Sequence, residues 1–124
     1  MTKRILVVED QEDLRAILRD LLSTSGYDVI EAVDGNEAVA RTQSERPDLI
    51  LMDIQLPRMD GYEASRRIKA DPNLKATLII AVSSFAMKGD EEKARASGCD
   101  AYVTKPYSPF RLLGVVRGFL DEKE

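Results

Sequence analysis

The chain of 124 residues contains no histidine and no tryptophan, and its one cysteine is Cys99. Without histidine there is no Cys/His zinc set and no Ser-His or Cys-His nucleophile pair. With one cysteine there is no internal disulfide and no CxxC motif. Long hydrophobic runs are also missing. Met1-Thr2-Lys3-Arg4 is followed only by Ile5 to Val8 before Glu9, too short for a signal-peptide core or a membrane-spanning helix. A basic excess is lacking too. There are 18 Lys+Arg against 22 Asp+Glu, a net charge of −4, where binding to a nucleic-acid backbone requires the opposite sign. Neither direct nucleic-acid binding nor membrane association is expected, and a cytoplasmic protein is the simplest reading.

What is present has the balance of a globular domain. Hydrophobic residues make up 44% and charged residues 32%, too apolar for a disordered chain and too charged for a fibrous one. A chain of this length hides roughly two-thirds of its surface on folding. That is enough for one ordinary core and leaves no material for a second domain, so residues 1–124 are read as a single domain.

Apolar runs at Ile5–Val8, Leu49–Met52 and Leu78–Val82, a weaker one at Ala101–Val103, and Tyr27–Ala32 as a fifth candidate have the continuous character of strands buried on both faces. Helical segments lie between them. Leu14, Ile17, Leu18, Leu21 and Leu22 fall at i, i+3, i+4, i+7 and i+8, a stripe expected to face a sheet. Further helices are predicted over roughly Asn36–Glu45, Asp60–Ala70, Asp90–Ser97 and Ser108–Leu120. Gly26 and Gly98 stand where a preceding helix would stop in a left-handed conformation. Strand followed by helix, five times over, implies an α/β fold with a five-stranded parallel sheet, doubly wound by right-handed crossovers. The last helix carries apolar residues round much of its circumference, among them Phe110, Leu112, Leu113, Val115 and Phe119. That surplus predicts a partner-binding surface. Gly114 and Gly118, each costing about 1 kcal/mol relative to Ala, would suit a closely approaching partner helix.

In such a fold the functional edge is the carboxyl end of the strands. The first strand delivers Glu9 and Asp10 there, the third Asp53, the fourth Ser83-Ser84 and the fifth Thr104-Lys105-Pro106. Converging carboxylates repel: two charges ~5 Å apart at an effective dielectric near 20 cost about 3 kcal/mol. Lys105 offsets one charge, and Mg²⁺ held by oxygen ligands suits the rest. Any one of these acids alone would be better read as a helix cap or a solvated side chain, but their joint placement at strand ends favours a metal site. A carboxylate beside a metal, an ammonium and a hydroxyl is equipped as a nucleophile toward phosphorus. Asp53, on the more central strand, takes that role, and the pair Glu9 and Asp10 takes the metal.

Four stretches, VVED, LILMDIQLPRMDG, IIAVSSFA and YVTKP, occur in an order and spacing by which the chain resembles the receiver domain of two-component response regulators over essentially its full length. Within that CheY-like superfamily it is most similar to the single-domain regulators of the DivK kind, a receiver with no output domain. The resemblance implies strand order 2-1-3-4-5 and a phosphorylation-operated switch rather than an enzyme. Asp53 matches the phosphoacceptor, Glu9 and Asp10 the acidic pair with Glu9 acting through water, and the carbonyl of Gln55 a third protein ligand of Mg²⁺. Ser83 matches the hydroxyl that swings to the phosphoryl group, Lys105 the cation on it, and Tyr102 the aromatic rotamer switch. Pro106 would follow a cis bond, a bond type in which cis is accessible. Ser84 departs from the usual Ala or Gly beside the phosphoryl oxygens, and Gln55 and Phe85 occupy flanking positions that modulate the access of attacking water. The implied partners are a histidine kinase or histidine phosphotransfer protein and a downstream protein target. The kinase or phosphotransfer partner would dock near Gln11 and Arg15 of the first helix and the loop Pro106-Tyr107-Ser108, and the target on the face of the fourth and fifth helices. A phosphorylation-dependent dimer stays open.

Two rival readings are weaker. A metal-dependent phosphohydrolase would need a general acid close after Asp53, where Ile54, Gln55 and Leu56 supply none. A nucleotide or flavin binder would need a glycine-rich phosphate loop after the first strand, where Gln11-Glu12-Asp13 stands instead.

Overall fold

The structure, a computed structural model, describes residues 2–84 and 89–121. Phe85, assigned a flanking role above, lies outside the described residues. Five strands, β1 (Arg4–Val8), β2 (Asp28–Ala32), β3 (Leu49–Asp53), β4 (Leu78–Ser83) and β5 (Ala101–Thr104), alternate with five helices: α1 (Glu12–Thr24), α2 (Gly35–Glu45), α3 (Gly61–Ala70), α4 (Asp90–Ala96) and α5 (Pro109–Leu120). The strands are parallel in the order β2-β1-β3-β4-β5, so β3 and its terminal Asp53 sit at the centre of the sheet.

Alternation along each strand divides the core into two layers. Leu6, Val8, Ile50, Met52, Ile79 and Ala81 point into a cluster that includes Ala38 of α2, Ile68 of α3 and Ala94 of α4. Ile5, Val7, Leu49, Leu51, Ile80 and Val103 point the other way, among residues of α1 and α5. The continuous apolar runs follow from this, since every position of β3 is buried. Local chemistry sets the helix starts. Asp34 accepts a hydrogen bond from the Glu37 amide (2.8 Å) and Asp60 one from the Glu63 amide (2.9 Å), and Ser108 caps α5 with Pro109 following it, each satisfying an amide that the helix itself leaves open. The helices starting at Asp60 and Ser108 in the sequence reading thus begin one residue later, the expected first residue being the cap. Gly26 and Gly98 have φ near +100°, the conformation that ends α1 and α4.

Two apolar expectations are corrected. The α1 stripe is narrower than its periodicity: Leu18 and Leu22 are buried, but Ile17 is 54% exposed, because it lines an open cleft with Pro106, Tyr107 and Pro109. The apolar circumference of α5 is mostly absorbed by the core. Leu112, Leu113, Val116 and Leu120 are buried, Val115 and Phe119 half-buried, and Phe110 stands out at 78% exposure. A Cβ at Gly114 or Gly118 would meet nothing within 4 Å. Gly114→Ala and Gly118→Ala are therefore expected to stabilise the chain by about 1 kcal/mol each, read from urea midpoints at unchanged m-value.

Candidate functional site

Sheet register builds the site. Val8 pairs with Met52, so the residues that follow them, Glu9 and Asp53, leave adjacent strands at the same level. Asp53 pairs with Val82, and Ser83 with Thr104, which brings Ser83 and Lys105 to the same edge from the other side. Carboxylate oxygens of Glu9, Asp10 and Asp53 lie within 4.8 Å of one another. Glu9 and Asp53 are each 3% exposed, while Asp10 faces solvent. The Lys105 ammonium reaches Asp53 Oδ2 at 3.3 Å and Glu9 Oε1 at 3.5 Å. Two backbone amides complete the anchoring: Gln11 N–H donates to Glu9 Oε2 (3.1 Å) and Gln55 N–H to Asp53 Oδ1 (3.0 Å).

These contacts do not neutralise the pair. Burial pushes the Glu9 carboxyl up to about 7, and the nearby Asp53 adds to this, while the Gln11 amide and Lys105 pull the other way. One ammonium set against two buried carboxylates leaves surplus negative charge where water cannot solvate it. Three clustered carboxylates, one of them open to solvent, form a hard-oxygen donor set of the kind a partly hydrated Mg²⁺ takes. The residues present fit that ion.

The remaining predicted residues take distinct places. Ser83 is fully buried at the end of β4 and Ser84 beside it is exposed. Tyr102 is half-buried against the core layer under α2, α3 and α4. The Lys105–Pro106 peptide is cis. Arg15 is not on an open face of α1. It turns back to hold Glu31 (2.9 Å) and the carbonyl of Glu9 (2.8 Å), because its stem is long enough to reach across the end of β1. An apolar cleft of about 540 Å³ opens beside Lys105 instead, walled by Leu14, Ile17, Pro106, Tyr107 and Pro109.

Three features escaped the sequence reading. The Gln55 side chain accepts a hydrogen bond from Ser84 N–H (2.8 Å), tying the turn after β3 to the end of β4. Glutamine two residues past Asp53 gave no sign of that partner. The Tyr107 hydroxyl is buried with no hydrogen-bond partner among the described residues, and burial, with Glu9 and Asp53 adding, pushes it up to about 12. The third is Gly61, whose position directly after the cap Asp60 was a readable signal. A Cβ there would stand 2.5 Å from the carbonyl oxygen of Asp53 and 2.8 Å from Cα of Ile54, so α3 is seated on the backbone of the site itself. Gly61→Ala overlaps main chain that cannot rotate away, and should cost about 3 kcal/mol, the upper end of overpacking penalties, in urea denaturation.

Comparison with known proteins agrees with this geometry. The family model described as response regulator receiver domain matches residues 5–117. The polar-differentiation response regulator DivK of Brucella ovis is 44% identical over 122 residues, covering 98% of this chain and 99% of that protein. Among solved structures, the receiver domain of the sensor histidine kinase PA1611 from Pseudomonas aeruginosa PAO1 is 34% identical with a TM-score of 0.89, over 98% of this chain and 100% of that one. It is described with a magnesium ion coordinated in its active site cleft. The chemotaxis response regulator CheY4 of Vibrio cholerae is 28% identical with a TM-score of 0.91, over 97% of this chain and 100% of that one.

Proposed function

The chain belongs to the response regulator receiver domain family, and from that premise we propose that residues 1–124 act as one receiver unit whose Asp53 accepts a phosphoryl group from a partner's phosphohistidine. Receivers of this kind are switches that work with histidine kinases and downstream targets. With no histidine among its 124 residues, the chain carries no phosphohistidine of its own. The observation that carries the reading is Asp53 itself: a carboxylate 3% exposed, at the end of the central strand, with an ammonium at 3.3 Å.

Glu9, Asp10, Asp53 and the carbonyl of Gln55 would hold Mg²⁺, which when bound supplies positive charge for the phosphoryl oxygens. An Asp53 oxygen attacks phosphorus as the P–N bond breaks and its electron pair returns to the imidazole nitrogen. Lys105 moves from the two carboxylates to a phosphoryl oxygen, so charge already present in the site follows the charge it must offset. Ser83 turns its hydroxyl to the same group, with the exposed Ser84 beside it, and Tyr102 repacks behind Ser83. Arg15 fixes the Glu9 carbonyl and with it the start of α1. The cleft between Leu14, Ile17 and Tyr107 takes the apolar surface of the histidine-bearing partner, and the α4 and α5 face takes the downstream target. Gln55 stands where a phosphohydrolase would need its acid, and its side-chain oxygen is engaged by Ser84.

The test is incubation with acetyl phosphate, with and without Mg²⁺, followed by intact mass. A gain of about 80 Da that requires the metal, one HPO₃, is the expected result. No gain under either condition would overturn the reading.

A further inference from the structure

Of the helices, α4 is the least anchored by burial. It has seven residues, of which Ala94 alone is buried, whereas α3 buries Gly61, Tyr62, Ala64, Ser65 and Ile68. It begins from Gly89, held at φ +98°. Elements with few buried contacts are displaced at low cost, so the side-chain contacts that tie α4 down set where it rests. Two of these run to α3. Arg66 Nη1 donates to Ser97 Oγ at 3.2 Å, and the Lys93 ammonium sits 4.7 Å from the centroid of the Tyr62 ring.

Tyr62 is an unusual anchor. It is 5% exposed, and its hydroxyl is buried with no hydrogen-bond partner among the described residues. Its polar end therefore does not fix it, and the ring is held by its neighbours. The backbone just before it rests on the candidate phosphorylation site. Tyr62 directly follows Gly61, which lies against the Asp53 carbonyl and donates its amide to Ile54 O at 3.0 Å. Tyr62 also belongs to the core cluster against which Tyr102 packs. Main-chain movement at Asp53 reaches Tyr62 through one residue, and Lys93 is the next contact outward.

Resting on the reading of Asp53 as phosphoacceptor, we propose that Lys93 is a positioning residue: its contact with Tyr62 holds α4 in the described conformer and is released when a phosphoryl group on Asp53 selects the other. The contact then opposes switching. By linkage, whatever disfavours the switched conformer also weakens binding of the group that selects it, by the same factor. A cation over an aromatic ring at an exposed position is worth a factor of about two to five in an equilibrium.

The test is the affinity of the full chain for beryllofluoride, a phosphoryl mimic on carboxylates, in saturating Mg²⁺ by calorimetry. Lys93→Met keeps the aliphatic stem and removes the charge, and is expected to bind about two- to five-fold tighter than the parent. Lys93→Arg restores a cation and should return the parent value, which loss of a merely structural contact would not require. Tyr62→Leu should tighten binding similarly, with no further gain in the double variant. Parent-like or weaker binding by Lys93→Met, or failure of Arg to restore, overturns the proposal. Should Tyr62→Leu not fold, the Lys93 variants decide alone, since that side chain is exposed. A parent that binds no beryllofluoride would overturn the functional reading and this proposal together; a parent that binds it while Lys93→Met is unchanged overturns this proposal only.

Discussion

Asp53→Asn is expected to abolish the metal-dependent gain of about 80 Da and, in magnesium-free buffer, to make the protein more stable than the parent. Both effects come from one atom change. The amide keeps the shape of the carboxylate, so the Gln55 amide retains an oxygen acceptor at the position now 3.0 Å away. It has no anionic oxygen to attack phosphorus, and transfer stops outright. It also removes one of two buried carboxylates that share a single lysine. Glu9 is then left in a one-to-one pair with Lys105, and while burial still pushes its carboxyl up, the smaller push from Asp53 is gone. Two charges about 5 Å apart at an effective dielectric near 20 repel by about 3 kcal/mol. The lost Asp53–Lys105 attraction across 3.3 Å is at least as large on the same scale, so the gain comes from no longer burying a second carboxylate charge against one ammonium. A rise of several degrees in melting temperature should register it. An adduct that persists in Asp53→Asn would move the nucleophile elsewhere. A melting temperature that falls in the variant would mean that Asp53 is a structural member of the pair and not its source of strain.

How much of this was legible in the sequence depends on the kind of physical constraint. Strand identity and the site were legible because continuous burial on both faces of a parallel sheet leaves a strong mark, and because the polar residue that ends each run must lie at the sheet edge. Leu49 to Met52 ending in Asp53, and Ile5 to Val8 ending in Glu9, are of this type. The details that escaped depend on how far a side chain reaches. Arg15 has helical neighbours that say nothing of Glu31 on β2. Ile17 shares the period of Leu18 and Leu22 but faces an open cleft beside Tyr107 and Pro109. On α5 the reverse holds: its apolar residues outnumber what one face of a sheet can cover, yet the core layer shared with α1 takes most of them. Periodicity reports which residues share a face of a helix. It does not report how wide the surface opposite that face is.

The second large effect is a reversal of pH dependence by magnesium. Glu9 titrates in the unfolded chain near the ordinary glutamate value of 4.5 and in the folded one at about 7, so between these the folded state binds the extra proton. Stability from that proton is fully present below about pH 4.5 and is lost as pH rises through 7. Metal-free protein should therefore melt at progressively lower temperature from pH 5 to pH 8. Other shifted groups act outside this window. Asp34 and Glu63 are held below the ordinary carboxylate range, Asp34 first by the Glu37 amide and Glu63 first by Arg67; their stabilisation is lost only at more acid pH. Magnesium requires the charged carboxylate, so its effect runs the other way. At tenfold excess over its dissociation constant it adds about 1.4 kcal/mol at pH 8, a shift of several degrees. At pH 5.5 the proton holds Glu9 and the same concentration should add little. Glu9→Gln should flatten the metal-free slope and weaken the magnesium response at pH 8, because the buried ionisable group is gone while Asp10 and Asp53 remain. Melting curves at two pH values with and without the metal decide the matter. An equal magnesium shift at pH 5.5 and pH 8 would show that Glu9 does not sense the ion, and the two buried carboxylates would then have to be explained without it.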